Sequence, residues 1–170
     1  MNEKPVLRVI NENTLIQCPD SKRLAEDMLS AVNRARQGIH RCGNRLFSPP
    51  GPVIWSDRLS QAALRHARDM AKNDFFDHLG SDGSDVGVRA NAAGFSWRIV
   101  SENISAGFES PEAVVEDWLQ SPPHCANLMN PTITAIGAAC ARNRKSFYGT
   151  YWVLIMALPH TKGDRRSRSQ

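Results

Sequence analysis

Residues 151–158, "YWVLIMAL", are apolar at every position. A strand with one solvated face alternates apolar and polar residues, whereas a run apolar on both faces has to be covered on both. With "TITAIGAACA" (132–141) before it and "RNRKS" (142–146) as connector, "SFYGTYWVLIMALP" (146–159) reads as the second strand of an antiparallel pair. Helical segments elsewhere supply the covering layers. The expected fold is a three-layer αβα sandwich in the α/β class, with a small, largely antiparallel central sheet.

Those helical segments lie upstream. Asp20 or Ser21 can cap a first helix, whose Leu24, Met28, Ala31, Val32 and Ala35 form one stripe and which Gly38 ends. Ser56 caps a second, where Leu59, Ala62, Ala63, His66, Ala67, Met70 and Ala71 recur at three- and four-residue spacing. "RCGNRLFSPPGPVIW" (41–55), rich in Gly and Pro, is expected to be a long connecting loop between them. After the second helix come a turn-rich loop, "NDFFDHLGSDGS" (73–84), and a short helix around "DVGVRANAAG" (85–94). "WRIVSENISAG" (97–107) alternates so that Val100, Glu102, Ile104 and Ala106 share one strand face. Ser110 and Pro111 open a further helix, which Pro122 and Pro123 are expected to end.

A chain of 170 residues fits one domain. The expected organisation is an extended arm over 1–19, one domain over 20–159 and a basic, disordered tail over 160–170. The formal charge is +4, but "TKGDRRSRSQ" (161–170) holds +3 of it, leaving +1 for the body. So nearly neutral a body lacks the basic face that phosphate neutralisation needs, and no nucleic-acid partner is expected. No stretch approaches the ~18 consecutive apolar residues of a membrane-spanning helix. The body is expected to be a monomer.

Cys18, Cys42, Cys125 and Cys140 form an even set, which suggests two disulfides and an oxidising compartment. Cys18 and Cys42 flank the first helix, about 25 Å long, and the few residues after it reach back only about 17 Å, so that pairing is disfavoured. The other two pairings stay open, with Cys42–Cys125 preferred. "MNEKPVLRVI" shows no signal peptide, so an exported chain, secreted or periplasmic, is expected to be a mature form or to carry an engineered start.

Of five histidines, His66 sits on an apolar stripe and reads as a hydrogen-bonded core residue, while His40 and His160 fall in loop and tail. His78 and His124 each follow a helical segment, in loops, where function concentrates. Glu102, among apolar neighbours, needs a donor, and an imidazole is a suitable one. Two His and one Glu converging would make an open site for a divalent, zinc-like ion, weakly held, with His78 and His124 as candidate ligands. The 24 and 22 residues between them are no local zinc motif, and a hydrogen-bonded cluster that only stabilises loops is an equal reading.

"VNRAR" (32–36), "LRHARDMAKNDFFDHLGSDGS" (64–84), "RANAAGFSW" (89–97), "SENISAG" (101–107) and "VVEDWLQSPPHCANLMNPTITAIGAA" (114–139) together resemble the CAP superfamily of cysteine-rich secretory, antigen 5 and pathogenesis-related 1 proteins, in its short bacterial, SCP-domain form. The resemblance implies an αβα sandwich and a cleft with two His and two acidic residues, sometimes holding a divalent metal. It places the first His at His78, the Glu at Glu102 and the second His at His124, with Cys125 fixing the loop beside it. The position implied for the second acid is Ser121, three residues after Trp118, so one carboxylate is missing; Glu116 points away on the helical wheel. "SEN" stands in place of "GEN", and "VNRAR" in place of a start in "HN", so Asn33 and Arg36 are expected to order the first helix.

Three functions are compatible with these residues. The first is a secreted or periplasmic binding module, whose cleft at His78, Glu102, His124 and Ser121 recognises a small or extended ligand, lipid-like or peptide. The second is a metal-assisted peptidase or esterase with Glu102 as general base. The third is an envelope interaction protein with a vestigial cleft, recognising through loops such as "GNRLFSPPGP" (43–52). No GxSxG elbow or free catalytic cysteine is visible, so the binding module is favoured over the enzyme.

Overall fold

The computed structural model describes residues 18–161; most of the expected arm and tail lie outside them. Among the described residues the regular elements run from Ser21 to Pro159. The final strand, β6 (Thr150–Pro159), lies between β5 (Ala135–Arg142) and β4 (Trp97–Ala106), antiparallel to both. A two-residue strand, β3 (Ile54–Trp55), pairs parallel with β5 and completes the order β3-β5-β6-β4.

The apolar run on β6 divides between two cores. Trp152, Leu154 and Met156 pack on one side with α1 (Ser21–Ala35), α4 (Pro111–Gln120) and Leu128 of α5 (Pro122–Leu128). Tyr151, Val153, Ile155 and Ala157 pack on the other with α2 (Asp57–Asn73) and α3 (Val86–Ala92). Both faces are dry, and the sandwich follows.

Helix ends fall where their caps dictate. Asp20 accepts from the Arg23 N–H, Ser56 from Leu59, Asp85 from Val88 and Ser110 from Ala113. All seven stripe residues of α2 are buried. Four of the five expected on α1 are buried; Ala35 is half-buried. Where α2 crosses β5 the backbones touch: a Cβ on Gly137 would collide with the Ser60 nitrogen and lie 2.6 Å from Leu59 Cβ. Ser60 Oγ donates to the Ala138 carbonyl at 2.9 Å across the same contact.

Three sequence expectations need correction. The 41–55 stretch is no plain loop: β1 (His40–Cys42) and β2 (Arg45–Phe47) form a hairpin in which Cys42 pairs with Arg45, so Gly43 and Asn44 make a two-residue turn, with Gly43 at φ +66°. The prolines after α4 do end it, but they also occupy the first turn of α5, where a missing N–H costs nothing. His124 is therefore a helical residue rather than a loop one. Finally, β6 starts at Thr150 rather than Ser146, because the Asn143 N–H bonds the Gly149 carbonyl and Ser146 turns back on Asn143, closing residues 143–149 as a loop.

Cys18 pairs with Cys140 and Cys42 with Cys125, the preferred bond and its complement. Asn33 and Arg36 work between elements rather than within α1. Asn33 exchanges hydrogen bonds with the Val53 backbone at 3.0 and 2.8 Å. Arg36, buried, donates to the carbonyls of Gly51, Leu128, Asn130 and Ile133.

Candidate functional site

The edge strand β4 carries the site on both its faces. Consecutive residues of a strand point oppositely, so Glu102 and Asn103 serve the two helical layers separately. On the α5 side, buried Asn103 donates through Nδ2 to the His124 carbonyl at 3.1 Å and accepts from Asn127 Nδ2 at 2.9 Å. The Cys42–Cys125 bond ties the same turn of α5 to the β1–β2 hairpin. His124 is thus fixed by its neighbours on both sides.

On the α2–α3 side, Glu102 is 6% exposed and has both oxygens engaged. Oε2 accepts from Arg89 Nη2 at 2.7 Å, and Oε1 lies 2.9 Å from His78 Nδ1. Arg89 is itself buried and also donates to the Ser84 and His78 carbonyls, at 2.6 and 3.1 Å. One guanidinium therefore compensates the carboxylate and pins the loop that carries His78 at two points, His78 itself and Ser84. A carboxylate paired with a guanidinium only accepts, so the proton between Glu102 and His78 belongs to Nδ1; in the neutral ring, Nε2 is left as an acceptor.

His66 is fully buried and donates through Nε2 to the Asp77 carbonyl at 2.8 Å, 3.9 Å from Glu102 Oε1. It is the core histidine the helical stripe implies, and it also forms the floor of the polar cluster. Burial pushes its pKa down; Glu102 opposes that shift and Arg89 adds to it. His124 is pushed down as well, first by burial and then by the nearby His78, with Asp117 opposing.

Phe76, Asp77, His78, Ile104 and His124 line a cleft of about 300 Å³ across β4. Glu102 lies behind it, reaching it through His78. Ser121 forms the α4–α5 junction, its N–H on the Trp118 carbonyl and its carbonyl on the Cys125 N–H, and is not among the residues lining the cleft. The acidic neighbour of His124 is instead Asp117, which accepts from Ser105 Oγ at 2.9 Å.

Sequence reasoning missed Arg89 and Asp117. Arg89 had a usable signal, since Val86, Arg89, Ala90 and Ala93 recur at three and four residues and put the arginine on the inward stripe of a short helix. Asp117 had none, being one of several acids on an amphipathic helix.

The donor set does not fit a resident ion. Glu102 is taken up by Arg89 and His78, and two imidazoles are one short of the three protein ligands of a catalytic zinc site. Among the described residues no cluster of three His, Cys, Asp or Glu side chains is arranged to hold a metal.

His78, backed by Glu102, and His124, next to the Cys42–Cys125 bond, thus line one cleft. The model of the cysteine-rich secretory protein family, CAP, matches residues 29–156. The chain belongs to the CAP family. Among its bacterial relatives are two Bacillus subtilis proteins. YkwD is 29% identical over 130 residues, covering 74% of this chain and 46% of YkwD. YlbC, described as a membrane protein, is 27% identical over 127 residues, covering 75% and 33%. The CAP chain thus spans less than half the length of the curated relatives it matches. Among solved structures, an extracellular SCP-domain protein of Bacillus anthracis superposes with a TM-score of 0.64 at 19% identity, over 89% of this chain and 45% of that one. An outer surface protein of Borrelia burgdorferi gives 0.67 at 20%, over 85% and 98%. These two share the CAP fold with the chain.

Proposed function

We propose that this CAP domain is the ligand-recognition part of a secreted or envelope-exposed protein, and that the cleft between His78 and His124 is its binding site, working without a resident metal. The observation that carries the reading is the hydrogen bond from His78 Nδ1 to Glu102, which turns Nε2 toward a cleft shared with His124. Such convergent polar groups against an apolar wall, here Phe76 and Ile104, are what small-ligand sites use to fix orientation. Export agrees with the two disulfides.

The hydrolase reading loses its base on the same geometry. Glu102 does not line the cleft and carries Arg89 on one oxygen and His78 on the other, so it reaches a water in the cleft only through His78. Recognition through the 43–52 loop remains the competing reading, and one experiment separates the two. In NMR screening with a mixture of small polar and aromatic fragments, shifts are expected to cluster at Phe76, His78, Ile104 and His124 and to vanish in His78→Ala. Shifts confined to 43–52, unaffected by that substitution, would move recognition to the loop.

A further inference from the structure

We infer that the cleft takes a neutral, hydroxyl-rich ligand with flat apolar faces, a saccharide chain, held by His78 and His124 and by a row of aromatic rings leading away from them. The inference rests on the cleft being the ligand site and adds the class of ligand.

The polar wall sets the first requirement. Arg89 fixes Glu102, Glu102 fixes the His78 Nδ1 proton, and in the neutral ring Nε2 offers a lone pair to the cleft. A neutral His124 adds one donor and one acceptor. The complementary group is one that both donates and accepts, which a hydroxyl does and an acyl chain does not. The lining holds no Lys or Arg but includes Asp77, whose Oδ1 accepts the Leu79 N–H. An anionic polymer would meet repulsion there and no compensating cation.

The apolar wall sets the second. Phe76 lines the cleft and is 41% exposed. Its ring centroid lies 5.5 Å from that of Tyr148, and Phe147, 73% exposed, meets Tyr148 edge-on at 5.1 Å. The loop bearing Tyr148 and Phe147 is tied to the end of α2. Asn143 Nδ2 donates to the Ala71 carbonyl at 2.7 Å, and Asp74 Oδ1 accepts from the Phe147 N–H and the Tyr151 hydroxyl at 3.3 and 2.9 Å. The rings are therefore held in place before any ligand arrives, which lowers the ordering cost of binding. Contiguous exposed aromatics beside a polar cleft mark a contact surface. A pyranose ring suits both walls: its C–H face lies on an aromatic ring while its equatorial hydroxyls reach sideways to hydrogen-bonding groups.

The test uses the full chain, isothermal titration and NMR of the histidine rings, with cellotetraose and chitotetraose as saccharide probes and decanoate as the acyl-chain probe. Saturable binding of at least one saccharide is expected, moving the His78 and His124 ring signals. Phe147→Ala, a change at an exposed ring that leaves the core intact, should weaken it by roughly 3- to 10-fold, the range expected for one lost aromatic contact. Decanoate bound at the two histidines with both saccharides silent would overturn the ligand class and leave the cleft as the site. Saccharide binding unchanged in both Phe147→Ala and Tyr148→Ala would overturn the aromatic row. Histidine rings that respond neither to these probes nor to the fragment mixture would instead overturn the cleft reading itself.

Discussion

Glu102 is a carboxylate in a nearly dry place, and its cost is set by its partners. An unpaired charge there costs several kcal/mol, while a charge hydrogen-bonded to a buried guanidinium is tolerated. Arg89→Met leaves Glu102 uncompensated and is expected to lower the unfolding free energy by about 3–5 kcal/mol. The double variant Arg89→Met with Glu102→Leu removes both charges and should recover much of that loss. Urea midpoints check this; a double variant no more stable than the single would show that the two charges do not act as a pair. His66 gives a second expectation, in pH. Its folded pKa lies below the unfolded value, near 6.5, because of burial, so the unfolded chain binds the proton first. Stability should be flat above about pH 7 and fall as the pH drops below about 6.5 toward the folded pKa. Replacing His66 by Gln should make that part of the profile of melting temperature against pH shallower, leaving the share due to His124, which burial also pushes down. The groups around the ring that shape this shift are Glu102, Arg89 and Asp69, with the Asp77 carbonyl. How legible these residues were differs for a physical reason. His78, Glu102 and His124 stand out because a titratable side chain among turns or apolar neighbours is locally anomalous. Arg89 is signalled only by its place on the inward stripe of α3, a helix of seven residues whose period is too short to stand out.

At the scale of elements, hydrophobic period carried most of the fold. The stripes of α1 and α2 and the unbroken apolar run of β6 are large signals that tertiary packing reinforces. The hairpin at 40–47 was illegible because three-residue strands are too short to show a period and the flanking prolines mask them. The proline pair at 122–123 is ambiguous by nature, since the same residue that ends one helix suits the first turn of the next. Gly137 shows what a strand glycine can mean. Its missing Cβ lets the first turn of α2 lie directly on β5, where Leu59 and Ser60 occupy the space a side chain would need. Backbone cannot move aside as a flexible side chain does. Gly137→Ala is therefore expected to cost at least the ~1–3 kcal/mol typical of overpacking, measured by thermal or urea unfolding, with loss of the Ser60 to Ala138 hydrogen bond. A neutral effect would mean that α2 shifts freely along the sheet.

Across the whole molecule, the covalent restraints are unevenly placed. Cys18–Cys140 lies on the face of the sheet covered by α1 and α4, and Cys42–Cys125 joins the hairpin to α5 in the same layer. Neither bond touches the layer of α2 and α3, which holds to the sheet by side-chain packing and by hydrogen bonds such as those of Ser60 and Arg89. The two histidines of the cleft consequently come from layers held by different means, His78 from the packed side and His124 from the stapled one. The Cys42–Cys125 bond closes a sequence separation of 83 residues, and removing such a bond typically costs about 2–5 kcal/mol. In Cys42→Ser with Cys125→Ser, amide exchange should accelerate first in α5 and the β1–β2 hairpin, while α2 and the central strands keep their protection. His124 would then lose its fixed place beside β4 although His78 keeps its bond to Glu102. Binding of any cleft ligand should weaken more than the stability loss alone accounts for, because only one wall has been released. Uniform acceleration of exchange across both layers would show instead that the sandwich opens as a single cooperative unit and that the staple acts on the unfolded chain alone.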